Sequence, residues 1–142
     1  MNIEEMSRYV RGLGDGITVA ENEGDLFFLY DPDGDLPPER QFPFVTIVTG
    51  DRYDSVSNLD RPGAYRLNIG LTKATYGALV GTPPEGGYDY AAEDVLMPHP
   101  VYGGQHWVSV VNPGKATLGT VRTLLAEAYG FAARKYTNRT RR

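Results

Sequence analysis

The chain has 142 residues, with 14 basic and 18 acidic side chains, two histidines and no cysteine. This length is typical of one domain that folds without a metal or a disulfide, and the lack of cysteine excludes thiolate nucleophiles and cysteine-ligated metal centres. The first residues are acidic and lack the apolar core of a secretory signal, and no apolar run is long enough to span a membrane. The chain is therefore predicted to be cytoplasmic, with no membrane partner.

Charge is unevenly distributed along the chain. Five basic residues and no acidic one follow position 133, namely Arg134, Lys135, Arg139, Arg141 and Arg142. The rest of the chain is strongly acidic and would repel a phosphate backbone, so nucleic acid is a disfavoured partner. We expect a single domain over residues 1–136 and a basic C-terminal tail over residues 137–142, which is solvated at the end of the chain.

The predicted elements begin with a helix over residues 2–12, because apolar residues recur there at helical spacing. Asn2 is its expected N-cap, with Glu5 completing a capping box. Strands are predicted over residues 17–21 and 26–30, joined by a turn, and over residues 42–49 and 64–71, with a Pro-rich loop and a polar segment between. Thr72 is expected to cap a short helix.

Residues 82–105 are rich in Gly, Pro and Tyr and are predicted to be irregular, which is uncommon inside a compact domain and often functional. A strand over residues 106–112 and a helix over residues 118–136, capped by Thr117, complete the chain. This order predicts an α+β domain, with an antiparallel sheet and with the N-terminal helix and the long C-terminal helix packed on one face. Trp107 is expected in the core, between the sheet and the closing helix.

One acidic segment resembles a calcium loop. Asp31, Asp33 and Asp35 alternate, but the sixth position is Leu36 instead of Gly and the twelfth is Phe42 instead of Glu. The segment is predicted to be a turn with solvated carboxylates. No metal site and no cofactor are predicted.

A second segment gathers both histidines and the only tryptophan within nine residues. His99 stands between Pro98 and Pro100, which restrict the backbone and reduce the entropy lost on binding a ligand. Tyr102, His106 and Trp107 follow it. The alternative is a loop that only packs Trp107 into the core.

A third candidate lies on the polar face of the strand over residues 64–71. Arg66 has a planar fork that suits a carboxylate or a phosphate, and Asn68 follows on the same face. The alternative for Arg66 is a salt bridge without a role in binding.

Several segments together resemble an uncharacterised actinobacterial family, a domain of unknown function. The resemblance covers nearly the whole chain and is carried by Phe27-Phe28-Leu29-Tyr30-Asp31-Pro32, Arg66-Leu67-Asn68-Ile69-Gly70, Leu96-Met97-Pro98-His99-Pro100-Val101-Tyr102, Trp107-Val108-Ser109-Val110-Val111-Asn112-Pro113 and Leu124-Leu125-Ala126-Glu127-Ala128-Tyr129. More distantly, the order of elements is similar to MmcQ/YjbR-like proteins, with Trp107 in the matching late strand and Ala128-Tyr129 where Ser-Tyr is usual. That resemblance implies a compact α+β fold related to the frataxin-like shape.

These observations support three hypotheses about function. The first is a small cytoplasmic, non-enzymatic binding or accessory protein with a small-molecule or protein partner, whose pocket is lined by Arg66, Asn68, His99, Tyr102, His106 and Trp107. The second is a small enzyme, with His99 as general acid or base and Arg66 holding an anionic group. The third is a weak nucleic-acid binder that acts through the basic tail. No oligomeric state is predicted.

Overall fold

The computed structural model describes residues 1–140, except for the side chain of Thr140. Its helices and strands, in chain order, are α1 (Ile3–Arg11), β1 (Ile17–Asn22), β2 (Asp25–Tyr30), β3 (Val45–Val48), β4 (Arg66–Gly70), α2 (Lys73–Leu79), β5 (Met97–Pro98), β6 (Trp107–Val111) and α3 (Leu118–Thr140). Short 3₁₀ turns lie at Pro38–Arg40 and Gly103–Gln105. No helix within residues 1–140 is long and apolar enough to cross a membrane.

All six strands form one antiparallel sheet in the order β1-β2-β3-β4-β6-β5. With an N-terminal helix and a long C-terminal helix, this confirms the predicted α+β class. The strand β5 has only two residues and was not predicted, because it is a short edge piece of the irregular segment over residues 82–105.

The start of the chain agrees closely with its sequence pattern. The side chain of Asn2 accepts a hydrogen bond from the backbone N–H of Glu5 at 2.8 Å, and the Glu5 carboxylate accepts one from the N–H of Asn2 at 3.0 Å. This reciprocal capping box satisfies donors that the first helical turn leaves unpaired. The predicted start of α1 is therefore confirmed.

One face of the sheet is buried against α1 and α3, and we call it the covered face. Alternate residues of the central strands point to it, including Val45, Ile47, Leu67, Ile69, Val108 and Val110, all of which are buried in the main core. The helices contribute Met6, Val10, Val121, Leu124, Leu125 and Ala128 to the same core. Burial of these β-branched and leucine side chains is the main source of stability of the fold.

The placement of Trp107 differs from the prediction. Side chains alternate along a strand, and Val108 and Val110 occupy the covered face, so Trp107 lies on the opposite face, which we call the open face. It is half-buried there beside Gly70 and is not packed between the sheet and α3. The alternation of side chains along β6 agrees with the sequence pattern. The helices, however, bury the face of β6 that carries Val108 and Val110, and not the face that carries Trp107.

The closing helix is longer than predicted. It continues through Thr140, so residues 137–140 of the segment predicted to be a tail are helical, and the predicted boundary at residue 136 falls inside α3. Arg141 and Arg142 lie outside the described residues. The last turns of α3 reach the end of the sheet where β2 ends, because Tyr129 and Tyr136 both contact the ring of Tyr30, at 5.6 and 5.5 Å between ring centroids.

Candidate functional site

The open face of the sheet forms the floor of a groove of about 1310 Å³. The strands β2, β3, β4 and β6 contribute Phe27, Thr46, Asn68 and Trp107 to this floor. The walls come from the loop before β3, the segment after β5 and the last turns of α3. A concave site with an apolar lining and a few polar groups is the usual form of a small-molecule site, although this groove is larger than most.

A buried ion pair lies at one end of the groove floor. Arg66 is only 2% exposed, and its Nη1 and Nη2 donate to the two carboxylate oxygens of Asp54 at 3.0 and 2.9 Å. Nη1 also donates to the hydroxyl of Ser57 at 3.0 Å. Arg66 lowers the pKa of Asp54 below its ordinary value, mainly through these hydrogen bonds, so the pair stays charged near neutral pH.

A chain of polar side chains continues from Arg66 across the floor. Asn68 Oδ1 accepts from Arg66 Nε at 3.1 Å and from the hydroxyl of Ser109 at 2.7 Å, while Asn68 Nδ2 donates to the hydroxyl of Thr46 at 2.9 Å. These bonds join β3, β4 and β6 on the open face. Each side chain of this hydrogen-bonded network is therefore held in a fixed position by its neighbours.

These contacts limit what Arg66 can do for a ligand. Four of its five N–H donors are engaged, and its charge is balanced by Asp54 in a bidentate pair. Arg66 therefore forms a salt bridge, which was the alternative considered from the sequence. Its guanidinium group is not free to bind an anion through two parallel hydrogen bonds. Its role in the groove is to position Asp54 and Asn68.

His99 lies in the wall of the groove beside this network and is 7% exposed. Its Nδ1 accepts hydrogen bonds from the backbone N–H groups of Val101 at 3.0 Å and Tyr102 at 2.9 Å, so the ring proton resides on Nε2. Burial, and then the positive charge of Arg66, lowers the pKa of His99 to about 4, against a smaller opposing effect of Asp54. His99 is therefore a neutral donor near pH 7.

The Nε2–H of His99 is an unpaired donor in the wall of the groove. Nδ1 is occupied, and Nε2 makes no hydrogen bond within residues 1–140 and is not sealed from solvent. Because His99 N donates to the backbone carbonyl of Trp107 at 2.9 Å, the strand pairing fixes the position of the ring. A ligand acceptor placed over this wall would meet a preoriented donor.

The remaining predicted residues surround His99. The ring of His99 lies 4.9 Å from that of Tyr102 and 6.5 Å from that of Trp107, measured between centroids. His106 precedes β6 in a left-handed conformation and stacks edge-on with Tyr76 at 5.5 Å. All six residues predicted from the sequence, from Arg66 to Trp107, line the same groove.

Other residues of the groove and of the polar network beneath it were not predicted from the sequence. Asp54 and Ser57 lie in a polar segment without periodicity, which reads as an ordinary turn, and Thr46 and Ser109 read as polar positions of strands. Phe42 and Phe131 form apolar walls from a loop and from α3. The polar residues that alternate with the core residues of β3 and β6 were the available signal for Thr46 and Ser109.

Exposed apolar side chains concentrate around the groove. Seven large apolar side chains are exposed within the part of the chain that the structure describes, and four of them line it: Phe42, Tyr53, Val101 and Tyr102. Phe42 is 70% exposed. Clustering of such residues at one concave surface is typical of a binding site.

The structure also describes the acidic segment that resembles a calcium loop. Asp31 Oδ1 accepts from the backbone N–H groups of Asp35 and Leu36 at 3.2 and 3.4 Å, and Asp33 accepts from the hydroxyl of Tyr136 at 2.7 Å. These bonds form a turn that is tied to α3. Within residues 1–140, no group of three or more His, Asp or Glu side chains is placed to hold a metal ion.

Comparison with known proteins gives the family of the chain. A model of DUF6194, described as a family of unknown function, matches residues 1–141. The chain belongs to DUF6194. No curated protein and no solved structure matches this DUF6194 chain. Membership of a family of unknown function was expected from the sequence and is confirmed.

Proposed function

We propose that this DUF6194 protein is a small, non-enzymatic binding protein that holds an amphipathic small molecule in the groove on the open face of its sheet. The observation that carries the proposal is the combination of an aromatic floor and wall with the unpaired Nε2–H of His99. The aromatic residues supply apolar area, and the His99 donor orients a polar group of the ligand. A small-molecule partner is favoured over a protein partner because the groove is concave.

The contacts of the polar residues argue against the enzyme hypothesis. A general base needs a free lone pair, but Nδ1 of His99 accepts two backbone hydrogen bonds and Nε2 carries the proton. A pKa of about 4 leaves no protonated imidazole to serve as an acid near neutral pH. Arg66 would have to leave Asp54 to hold an anionic group.

The wider context is part of the same proposal. We propose a cytoplasmic location, which suits a chain whose 142 residues include no cysteine. An actinobacterial origin and a distant relation to MmcQ/YjbR-like proteins rest on the sequence segments and on the late strand that carries Trp107. Nucleic acid remains a disfavoured partner because the net charge is −4.

The test uses Trp107 as a reporter, since it is the only tryptophan and it lines the groove. A library of amphipathic metabolites is screened by thermal shift and by tryptophan emission. A ligand at 100 times its dissociation constant should add about 2.7 kcal/mol of stability. Ligands that bind in the groove should change both the unfolding temperature and the emission.

The variant Gly70→Ala tests the location. A Cβ at Gly70 would lie 2.9 Å from Cε2 of Trp107, so the indole must move towards the groove and reduce its volume. We expect affinity to fall at least about fivefold, the order of effect that a misfitted methyl group produces. The matched control is Gly77→Ala in α2, where the added methyl group meets open space. Equal affinity of Gly70→Ala and wild type, or a screen without any ligand, would contradict the proposal.

A further inference from the structure

The groove is electropositive although the protein is acidic. Five basic side chains and one carboxylate line it, and Arg66 pairs with that carboxylate, Asp54. The four others are Arg40, Lys73, Lys135 and Arg139, and none of them has an ion-pair partner within residues 1–140. The chain as a whole carries a net charge of −4, so this cluster is opposite in sign to the net charge of the protein.

These four cations come from segments at the same end of the sheet. The N–H of Gly70 at the end of β4 donates to the carbonyl of Phe44 just before β3 at 3.0 Å, and Gly70 pairs with Trp107 at the start of β6. Arg40 precedes Phe44 by four residues, and Lys73 follows Gly70 by three. We call this end, with its four cations, the basic rim.

The last turns of α3 bring the other two cations to the same place. Tyr129 contacts the ring of Phe44 at 6.2 Å between centroids, and Tyr136 contacts the ring of Tyr30 at the end of β2. Lys135 and Arg139 follow on this helix, four residues apart and hence on one side of it. The ammonium group of Lys135 lies 4.2 Å from the ring centroid of Phe131, which lines the groove.

The two helical cations also repel one another. Partial burial, and then the positive charge of Arg139, lowers the pKa of Lys135. Like charges at this spacing destabilise a helix slightly, and an anion between them would remove the repulsion. The rim therefore adjoins an aromatic wall, and none of its four cations forms an ion pair within residues 1–140, while the nearby Asp33 is hydrogen-bonded to the hydroxyl of Tyr136.

We propose that the ligand is an anionic amphiphile, with an aromatic or aliphatic body over Trp107 and Phe131 and a carboxylate, sulfonate or phosphate group at the basic rim. The proposal rests on the proposed binding function and adds the chemical class of the ligand. Charge complementarity selects this class over a neutral or cationic molecule of the same shape.

Two fluorescent probes separate the contributions of body and charge. They are 8-anilinonaphthalene-1-sulfonate and N-phenyl-1-naphthylamine, which share one aromatic body and differ in the sulfonate group. We expect the wild type to bind the sulfonate about tenfold more tightly, as two or three exposed charge contacts allow. Added salt should reduce this preference, because exposed charges are screened.

The variant Lys135→Gln/Arg139→Gln removes the rim charges contributed by α3. Both side chains are exposed, so the fold should be retained, which thermal unfolding verifies. The matched control is Arg11→Gln/Arg122→Gln, which removes the same charge from residues that do not line the groove. The rim variant should lose most of the preference for the sulfonate and bind the neutral probe as the wild type does, and the control should stay within about twofold of the wild type.

The outcomes distinguish this proposal from the function on which it rests. Suppose that both probes bind with equal affinity, that Gly70→Ala lowers both affinities and that the rim variant changes neither. The proposed anionic class of ligand is then wrong, and the groove remains a binding site. If neither probe binds, or if Gly70→Ala leaves both affinities unchanged, the groove is not the site, and both proposals are overturned.

Discussion

The substitution Asp54→Asn tests whether the ion pair under the groove is as buried as its contacts indicate. It removes the charge that balances Arg66, which is 2% exposed, and replaces one of two acceptor oxygens with an amide donor that faces the guanidinium group. Loss of one partner from a buried pair costs about 3–5 kcal/mol. Because the side chain of Asp54 is still 14% exposed, we expect the lower end of that range, about 3 kcal/mol.

The assay is urea unfolding followed by far-ultraviolet circular dichroism. With a slope of about 2 kcal/mol per molar urea, the midpoint should fall by about 1.5 M while the slope is unchanged. The control is Asp15→Asn, which removes an exposed carboxylate that makes no side-chain hydrogen bond within the described residues. Its midpoint should match the wild type.

The effect should also depend on pH with a definite sign. The folded pKa of Asp54 is lower than its unfolded value, so its stabilising contribution is complete above that unfolded value, about 3.9, and is lost as the pH falls through the lower folded pKa. The difference between wild type and Asp54→Asn should hold from pH 7 to pH 5 and shrink below about pH 4. A loss under about 0.5 kcal/mol at pH 7 would refute the reasoning, because that is the range of ordinary surface substitutions.

Two further predictions concern buried or capping side chains. His99 has a folded pKa of about 4 against an unfolded value of 6.5, so the unfolded state binds more protons between these pH values. The free energy of unfolding of the wild type should therefore fall by up to about 3 kcal/mol as the pH falls from 7 to 4. Urea unfolding at both pH values should show a smaller fall for His99→Gln, and an equal fall in both proteins would contradict this prediction. The carboxylate of Asp94 accepts from the backbone N–H groups of Gly114, Ala116 and Thr117 and from the hydroxyl of Thr117, which lowers its pKa to about 2. Asparagine tolerates the positive φ of 58° at this position, so Asp94→Asn tests the carboxylate without straining the backbone. The substitution should lower the free energy of unfolding by about 1 kcal/mol above pH 4, as measured by thermal unfolding. An unchanged unfolding temperature would show that other contacts hold the loop.

Much of the fold was predictable because its signals are local. Asn2 and Glu5 mark the start of α1 through a reciprocal hydrogen bond that needs only three residues of sequence. The alternation of Leu67 and Ile69 with Arg66 and Asn68 likewise gives the two faces of β4, since side chains alternate along any strand. These features depend on neighbours in the chain and can be read from it.

The choice of which face is covered could not be predicted in the same way. The face of β6 that carries Trp107 holds the largest side chain, yet the helices pack on the face of Val108 and Val110. That choice depends on how the apolar stripes of α1 and α3 fit the whole sheet, which is a property of distant segments. It explains why Trp107 was expected in the core and is found in the groove.

The candidate site was predictable in part for a related reason. The six predicted residues share a segment or a strand face, so their proximity follows from local geometry. Asp54 and Ser57 reach Arg66 from a polar segment whose path is set by tertiary contacts, and Lys135 and Arg139 reach the rim through the length of α3. No periodicity in the sequence marks such approaches.

The polar chain from Thr46 through Asn68 to Ser109 has a consequence for how the sheet assembles. On the covered face, β-branched residues repeat every second position, so a slip of two residues between neighbouring strands would still place apolar side chains against apolar side chains. The same slip would separate the Asn68 amide from both hydroxyl groups, so that the buried Ser109 and the half-buried Thr46 would lose their partner and Asn68 would keep only Arg66. The hydrogen bonds beneath the groove thus form in only one register of the three central strands, and every other register is less stable because it lacks them.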